Sequence, residues 1–312
     1  TGGAIRIGKD ICKKLHENGY NIICHYNKSE NEAKDLKSEL NKLREGSCEI
    51  FSLDLNDFEQ VKELTSKISN NSNSLDLLVN NASSFFKTDV ENHNDSDWDD
   101  LINSNLRGPF LLSRHCKKML SESKGLIINI SDAMVNRGMK NYVIYSMAKA
   151  GLENLTKTLA REFAPEVRVN AVAPGAILLP SDGSSEEQDL LNEIPLNRIG
   201  TERDISEAVL GLTKFSYVTG QILKIDGGRS LNWCIFTFFK KSMNNKFKGE
   251  YSGTKNVSER HEIDQNKLQE FLNDKLENFG DIKSIEEFVG GQSNPTYLLK
   301  TQRESYVLRR KP

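Results

Sequence analysis

The chain has 312 residues, with 42 Lys and Arg against 44 Asp and Glu, a formal net charge of -2. A balance this close calls for neither a nucleic acid nor an anionic membrane as partner. Hydrophobic residues make up 37% and mean hydropathy is -0.54; no apolar run approaches the roughly 20 residues of a membrane helix.

Five scattered cysteines, Cys12, Cys24, Cys48, Cys116 and Cys234, form no Cys-x-x-Cys pair. They read as reduced thiols of a cytoplasmic protein, with neither a disulfide frame nor a metal site expected. The length allows one large α/β domain and a smaller second unit. The chain opens inside a glycine-rich turn without an initiator Met and reads as a fragment.

Thr1-Gly2-Gly3-Ala4-Ile5-Arg6-Ile7-Gly8 reads as a turn opening a helix over 7–18. Gly2 and Gly3 permit the sharp turn and Gly8 the close packing of helix on sheet, while the helix N-terminus offers free N–H groups to a pyrophosphate. Such a turn is fed by a strand, so one is expected ahead of Thr1. Strand 21–26 ends in His25-Tyr26-Asn27-Lys28-Ser29. Dinucleotide folds place an acid here to hold the ribose 2′-hydroxyl of NAD. A cation and a hydroxyl favour a 2′-phosphate instead, hence NADP.

Helix 30–43 and strand 48–53 come next, closed by Asp54 and Leu55, with Asp54 placed to accept from an adenine amino group. Helix 58–69 leads to strand 75–80, where Asn80-Asn81-Ala82 is placed to tie neighbouring strands. One long helix is expected over 97–120, carrying Asn105. Strand 125–131, helix 141–163, strand 168–173, helix 202–212 and strand 221–225 complete an alternation typical of βαβ units around a parallel sheet.

Tyr145-Ser146-Met147-Ala148-Lys149 sets a phenol and an ammonium one turn apart on a helix face. A phenol titrates near ~10, and the neighbouring cation is expected to bring it toward the working range. The pair alone carries no weight. Its weight comes from order: glycine turn, Asn-Asn-Ala, Asn105, a polar residue ending strand 125–131, then Tyr145 and Lys149.

In that order the residues resemble the short-chain dehydrogenase/reductase family over 1–233, including Pro174-Gly175 and Asp226-Gly227-Gly228. The resemblance implies a Rossmann-type doubly wound parallel sheet with helices on both faces, its first strand missing here. Within the family, four departures from the general pattern resemble pteridine reductases. Arg6 replaces the middle glycine of the turn, and His25-Tyr26-Asn27-Lys28-Ser29 is similar to their His-Tyr-x-basic-Ser segment. Asn81-Ala82-Ser83-Ser84-Phe85-Phe86 replaces Asn-Ala-Gly, and Asp132 stands where the catalytic Ser is usual.

This resemblance implies that Asp132, Tyr145, Lys149 and Asn105 are catalytic. It implies NADPH contacts from Thr1, Gly2, Arg6, Ile7, Tyr26, Asn27, Lys28, Ser29, Asp54, Leu55, Asn81, Ala82, Ser83, Tyr145, Lys149, Pro174 and Gly175. Arg6, Ser83, Phe85, Asp132 and Tyr145 would hold a pterin. The chemistry agrees: reducing C=N needs hydride at carbon and a proton at nitrogen, which a carboxyl coupled to a Tyr can relay. Stacking on Phe85 would add about 0.5–1.5 kcal/mol beyond burial. Asn27 departs from the family's His, and 176–180 carries no obvious polar ligand for a substrate.

The expected activity is therefore NADPH-dependent reduction of a dihydropterin, of the dihydrobiopterin, dihydromonapterin or dihydrofolate type, to the tetrahydro form. Two other readings stand beside it: a carbonyl reductase acting on a ketone such as a 3-oxoacyl thioester, and a catalytically silent fragment. Relatives of this kind are commonly homo-tetramers, which the C-terminal extension must permit.

Residues 234–260 are Lys/Asn/Ser-rich and read as a linker. A helix over 264–278 and β-type runs at 285–289, 296–300 and 306–310 follow. Glu287-Phe288-Val289-Gly290-Gly291-Gln292-Ser293-Asn294-Pro295 with Tyr306-Val307-Leu308-Arg309-Arg310-Lys311-Pro312 resembles the start of aminoglycoside-phosphotransferase-like kinases. That implies a partial N-lobe over 261–312, joined as a fusion and without phosphotransfer of its own.

Overall fold

The computed structural model describes residues 1–71, 74–177, 190–191, 193–231, 236–240, 254–257, 263–275, 279–289, 296–302 and 304–310. The acidic loop at 181–189 and the Gly/Ser loop at 290–295 lie outside the described residues. The chain divides into two compact units, Thr1–Ser230 and Leu231–Pro312.

In the first unit, helix α1 (Arg6–Glu17) buries Gly8, Ile11 and Leu15, spaced to form one stripe. Strand β1 (Ile22–Tyr26), helix α2 (Glu30–Leu43), strand β2 (Cys48–Ser52), helix α3 (Phe58–Asn71) and strand β3 (Leu77–Asn80) follow. Helix α4 (Asp95–Ile102) starts at a capping box in which Asn94 and Asp97 satisfy each other's backbone N–H. Helix α5 (Gly108–Glu122), strand β4 (Leu126–Ile130), helix α6 (Val143–Glu162), strand β5 (Arg168–Pro174), helix α7 (Glu202–Lys214) and strand β6 (Ile222–Ile225) complete the unit.

Strands β3-β4-β5-β6 form one parallel sheet, and β1 and β2 form a separate parallel pair. The single continuous sheet expected from the alternation is thus divided, because no described strand lies between β1 and β3. Along β4 every residue is buried. Leu126, Ile128 and Ile130 join Ile11, Leu36 and Val209 in one core cluster, while Ile127 joins Val61, Leu112 and Leu159 in another. Alternate side chains enter opposite cores, so helices cover both faces of a parallel Rossmann-type sheet.

The helix expected over 97–120 is interrupted. Residues Asn103–Arg107 form a π turn between α4 and α5, and the Gly108 N–H reaches back five residues to Asn103 O. Pro109 supplies the cause: it has no N–H to give the carbonyl of Asn105, so the ladder widens there.

The second unit contains an antiparallel sheet of five strands, ordered β7-β11-β10-β9-β8. These are β7 (Phe236–Lys240), β8 (Thr254–Asn256), β9 (Ile282–Phe288), β10 (Thr296–Thr301) and β11 (Ser305–Arg310). Helix α8 (Gln265–Lys275) packs Leu268 and Leu272 with Tyr297, Leu299 and Leu308. The linker expected at 234–260 is corrected here: β7 and β8 fall within it and pair with β11 and β9. Phe-Thr-Phe-Phe has strong β propensity, masked in the sequence by the Lys- and Asn-rich run that follows it. Among the described residues, no helix is long and apolar enough to cross a membrane.

Candidate active site

The glycine turn is built as a tight backbone crossing. Gly2 takes φ +59°, and a Cβ on Gly8 would lie 2.0 Å from the Gly2 carbonyl oxygen and 2.7 Å from Asn81 Nδ2. Only glycine fits at position 8. Asn81 Nδ2 donates to Thr1 O at 2.9 Å and Gly2 O at 3.0 Å; the N–H groups of Asn81 and Ala82 both donate to Thr1 Oγ1. Asn80 turns the other way and donates to Asn129 Oδ1 on β4 at 2.8 Å. Two adjacent amides thus bind the turn and the neighbouring strand.

Helix α1 begins beside this turn with no side-chain cap and no acid in its first turn. Its first N–H groups, including those of Arg6 and Ile7, therefore face outward with the positive end of the helix dipole. Arg6 is exposed and sits at φ +50°, a left-handed conformation that costs a residue with a Cβ on the order of 1 kcal/mol. Glycine would adopt it freely, so Arg6 is held there by the turn.

His25 is a site residue that sequence reasoning left without a role. Its ring is buried; Nδ1 accepts from the Gly2 N–H at 3.0 Å, and Nε2 donates to Leu53 O at 3.0 Å. Acceptance at Nδ1 requires the neutral ring, and burial, with the Thr1 amino group nearby, pushes its pKa down to about 4. His25 therefore joins the turn to the end of β2. Its position at a strand end was visible, but its partners were not.

Beyond β1, Tyr26 and Ser29 are half-buried, whereas Asn27 and Lys28 are exposed at the start of α2. No acid occupies this strand end. Asp54 accepts from Asn56 through Oδ1, and Leu55 is buried. Pro174 ends β5, and Gly175 follows where a Cβ would meet the backbone of Asp226 at 2.6 Å. The turn, the uncapped helix end and the cation at Lys28 fit a dinucleotide phosphate.

The candidate catalytic groups gather where α6 begins. The Tyr145 hydroxyl donates to Asp132 Oδ2 at 3.0 Å, while Asp132 Oδ1 accepts from the Met134 N–H at 2.8 Å. Asp132 thus caps a turn and holds the phenol at once. Thr88 bridges to Tyr142 and brings the 83–88 loop against α6. Phe85 then stacks on Tyr142 with ring centroids 4.7 Å apart and meets Tyr145 edge-on at 4.8 Å. It remains 55% exposed, which leaves one flat face free.

Two expectations change. The Tyr145 pKa is raised, not lowered: burial is the main cause, followed by the Asp132 carboxylate and its hydrogen bond. Lys149 donates to Ile130 O at 2.8 Å, with Nζ 5.7 Å from the Tyr145 ring centroid, and does not offset these effects. Its own pKa is lowered to about 8 by burial, partly opposed by Asp132. Ser83, expected at the edge of a substrate, spends its hydroxyl hydrogen on Asn105 Oδ1 at 2.7 Å. Asn105 is buried in the π turn and donates to Leu101 O and Ser84 O.

The model of the family described as enoyl-(acyl carrier protein) reductase matches residues 3–230. A 3-oxoacyl-[acyl-carrier-protein] reductase of Staphylococcus aureus is 36% identical over 240 residues, covering 73% of this chain and 95% of that protein. An uncharacterised oxidoreductase of Bacillus subtilis is 33% identical over 237 residues, covering 73% and 96%. Pteridine reductase 1 of Leishmania tarentolae is 31% identical over 274 residues, covering 74% and 95%. With this coverage, a parallel sheet flanked by helices and the glycine turn, the chain belongs to the short-chain dehydrogenase/reductase family of oxidoreductases.

Proposed function

We propose that the first unit reduces a dihydropterin with NADPH. The observation that carries this reading is the Asp132–Tyr145 hydrogen bond of 3.0 Å beside the exposed face of Phe85. The turn at Thr1 and Gly2, the N–H groups of Arg6 and Ile7, and the Lys28 cation would hold the cofactor, which supplies the hydride when bound. Phe85 orients a flat ring. Tyr145, kept protonated by burial and by the neighbouring carboxylate, donates its proton to a ring nitrogen. The resulting phenolate lies against a carboxylate and must regain a proton, and half-buried Asp132 connects it to solvent. Lys149 holds the end of β4 through Ile130 O and, as a cation, stabilises the phenolate at longer range.

A second reading is supported by the 36% identity to a 3-oxoacyl-[acyl-carrier-protein] reductase: a ketone would accept the Tyr145 proton in the same place. Following NADPH oxidation with dihydrobiopterin and with an acetoacetyl thioester separates the two. Turnover of the thioester alone overturns the pterin assignment. For the second unit, the five-stranded antiparallel sheet with helix α8 supports the kinase N-lobe reading. A homo-oligomer through the late elements of the first unit completes the proposal.

A further inference from the structure

Strand β4 turns Leu126, Ile128 and Ile130 into one core cluster and Ile127 into the other, where it joins Leu159 and Ala160 of α6. Side chains alternate along a strand, so Asn129 and Ser131 follow Ile127 toward α6. Both are polar side chains in a buried layer, and each finds a partner on that helix. Asn129 Nδ2 donates to Thr156 Oγ1 at 2.9 Å, and the Ser131 hydroxyl donates to Glu153 Oε1 at 3.1 Å.

The partners on α6 are regularly spaced. Tyr145, Lys149 and Glu153 lie four residues apart, which stacks them on one helix face. They bind three successive residues at the end of β4: Tyr145 holds Asp132, Lys149 holds Ile130 O, and Glu153 holds Ser131. One bond between a helix and a strand sets a distance. Three along one face also set the rotation and tilt of the helix. Lys149 is the middle of the row, so α6 can rock about it unless both ends are tied. Glu153 is the far end, about 12 Å from Tyr145 along the helix axis. The Asn129–Thr156 bond lies one turn farther on, and Asn129 is also drawn toward β3 by Asn80; Ser131 adjoins Asp132 directly.

Burial works against Glu153. It is 7% exposed, and among the described residues the Ser131 hydroxyl is its one hydrogen-bond partner. A buried carboxyl with a single neutral donor is poorly compensated, and apolar replacements of buried charged groups are often neutral or stabilising. Stability therefore does not account for this residue. We infer that Glu153 is a positioning residue: through Ser131 it holds the Asp132 carboxyl and the Tyr145 hydroxyl in register across the junction of β4 and α6. The inference rests on Tyr145 as the proton donor of the proposed reduction, whichever substrate receives the proton. Without the Glu153 bond the far end of the row is free, α6 rocks about Lys149, and the Tyr145 hydroxyl shifts against Asp132. A misplacement of about 1 Å costs on the order of 10²-fold in rate, so about half that shift predicts a loss of about tenfold.

The test replaces Glu153 in the full chain with Met, which fills its space without an acceptor, and with Gln, which keeps one. Turnover is followed with dihydrobiopterin and with an acetoacetyl thioester. Amide hydrogen exchange is followed at Met134, whose N–H bonds the Asp132 carboxyl. Glu153→Met is expected to lower kcat about tenfold on the substrate that the parent reduces, with KM, NADPH affinity and Tm close to parental values. It is also expected to speed Met134 exchange about tenfold. Glu153→Gln is expected to match the parent in both. A Met variant with a lower Tm but parental kcat and Met134 exchange makes Glu153 a residue of the fold alone and overturns the inference. So does a Gln variant as impaired as the Met variant, which would show that charge matters and the bond to Ser131 does not. Should the Met variant fail to fold, Ser131→Ala breaks the same bond from the strand side; the same losses are expected, and parental kcat and exchange overturn the inference. Exchange is read without cofactor or substrate, so its outcome is independent of the pterin assignment.

Discussion

Tyr145 and Asp132, thirteen residues apart, meet at 3.0 Å with the phenol donating and the carboxylate also fixed by the Met134 N–H. The carboxylate has two acceptor oxygens and each is used, so its plane is set by the backbone while its second oxygen governs the phenol. This arrangement keeps the proton on the phenol, held between the Tyr145 oxygen and the Asp132 carboxylate.

Asp132→Asn is expected to keep the fold and the Met134 cap but lose the path that reprotonates the phenol. A loss of kcat of about 10²-fold follows from the usual range for acid–base groups, with KM changed far less. Steady-state kinetics on dihydrobiopterin check it; undiminished kcat removes Asp132 from the relay.

Lys149 titrates well below an ordinary lysine, at about 8, because of burial. In the unfolded chain it titrates near ~10.4, so between these values the unfolded state binds more protons and stability rises with pH. Below about pH 8 the full penalty applies, and it fades as pH climbs toward 10. Lys149→Met is expected to flatten this rise in thermal denaturation curves taken from pH 7 to 10. Turnover should also fall above about pH 8 in the parent protein as the cation is lost. A parent and variant with the same pH dependence of melting would refute the buried-cation account.

Gly8→Ala places a methyl group against backbone, 2.0 Å from the Gly2 carbonyl oxygen. Relief requires the turn and α1 to separate, a cost of about 1–3 kcal/mol for overpacking. NADPH affinity measured by fluorescence titration is expected to fall at least tenfold, together with a lower Tm. Unaltered binding would mean that the turn does not carry the cofactor.

Phe85 is 55% exposed, so Phe85→Ala is expected to leave Tm nearly unchanged. Loss of stacking worth about 0.5–1.5 kcal/mol predicts a KM for dihydropterin roughly 2- to 13-fold higher. The thioester should be unaffected, and an equal rise for both substrates counts against a stacking role.

Lys28 is exposed at a strand end that carries no acid. Lys28→Asp is expected to move preference from NADPH toward NADH, through repulsion of a 2′-phosphate and a new acceptor for the ribose hydroxyl. The ratio of kcat/KM for the two cofactors measures it, and an unshifted ratio removes Lys28 from the phosphate site.

Much of the first unit was readable because its signals are local. The apolar run 125–131 marked β4 within a residue or two, and helix 30–43 coincides with α2. Asp132 and Tyr145 could be read as neighbours, because a strand end and a helix start are brought together by one short connection. The helix over 97–120 was readable as a helix but not as an interrupted one: its apolar period continues across the π turn, and only Pro109 hinted at the break. Residues 236–240 were hidden because a Lys- and Asn-rich run follows them and the partner strand, β11, begins 65 residues later.

Chain order and residue type alone decided that α and β elements alternate, that a glycine turn opens a helix and that a carboxyl replaces a hydroxyl before the tyrosine, since each is a property of neighbours within a turn or two. Packing decided the rest. The Ser83 hydroxyl turned to Asn105, His25 joined Gly2 to Leu53, and Tyr145 rose in pKa while Lys149 fell. Hydrogen-bond partners and desolvation depend on atoms brought together from distant segments, and no local pattern encodes that proximity.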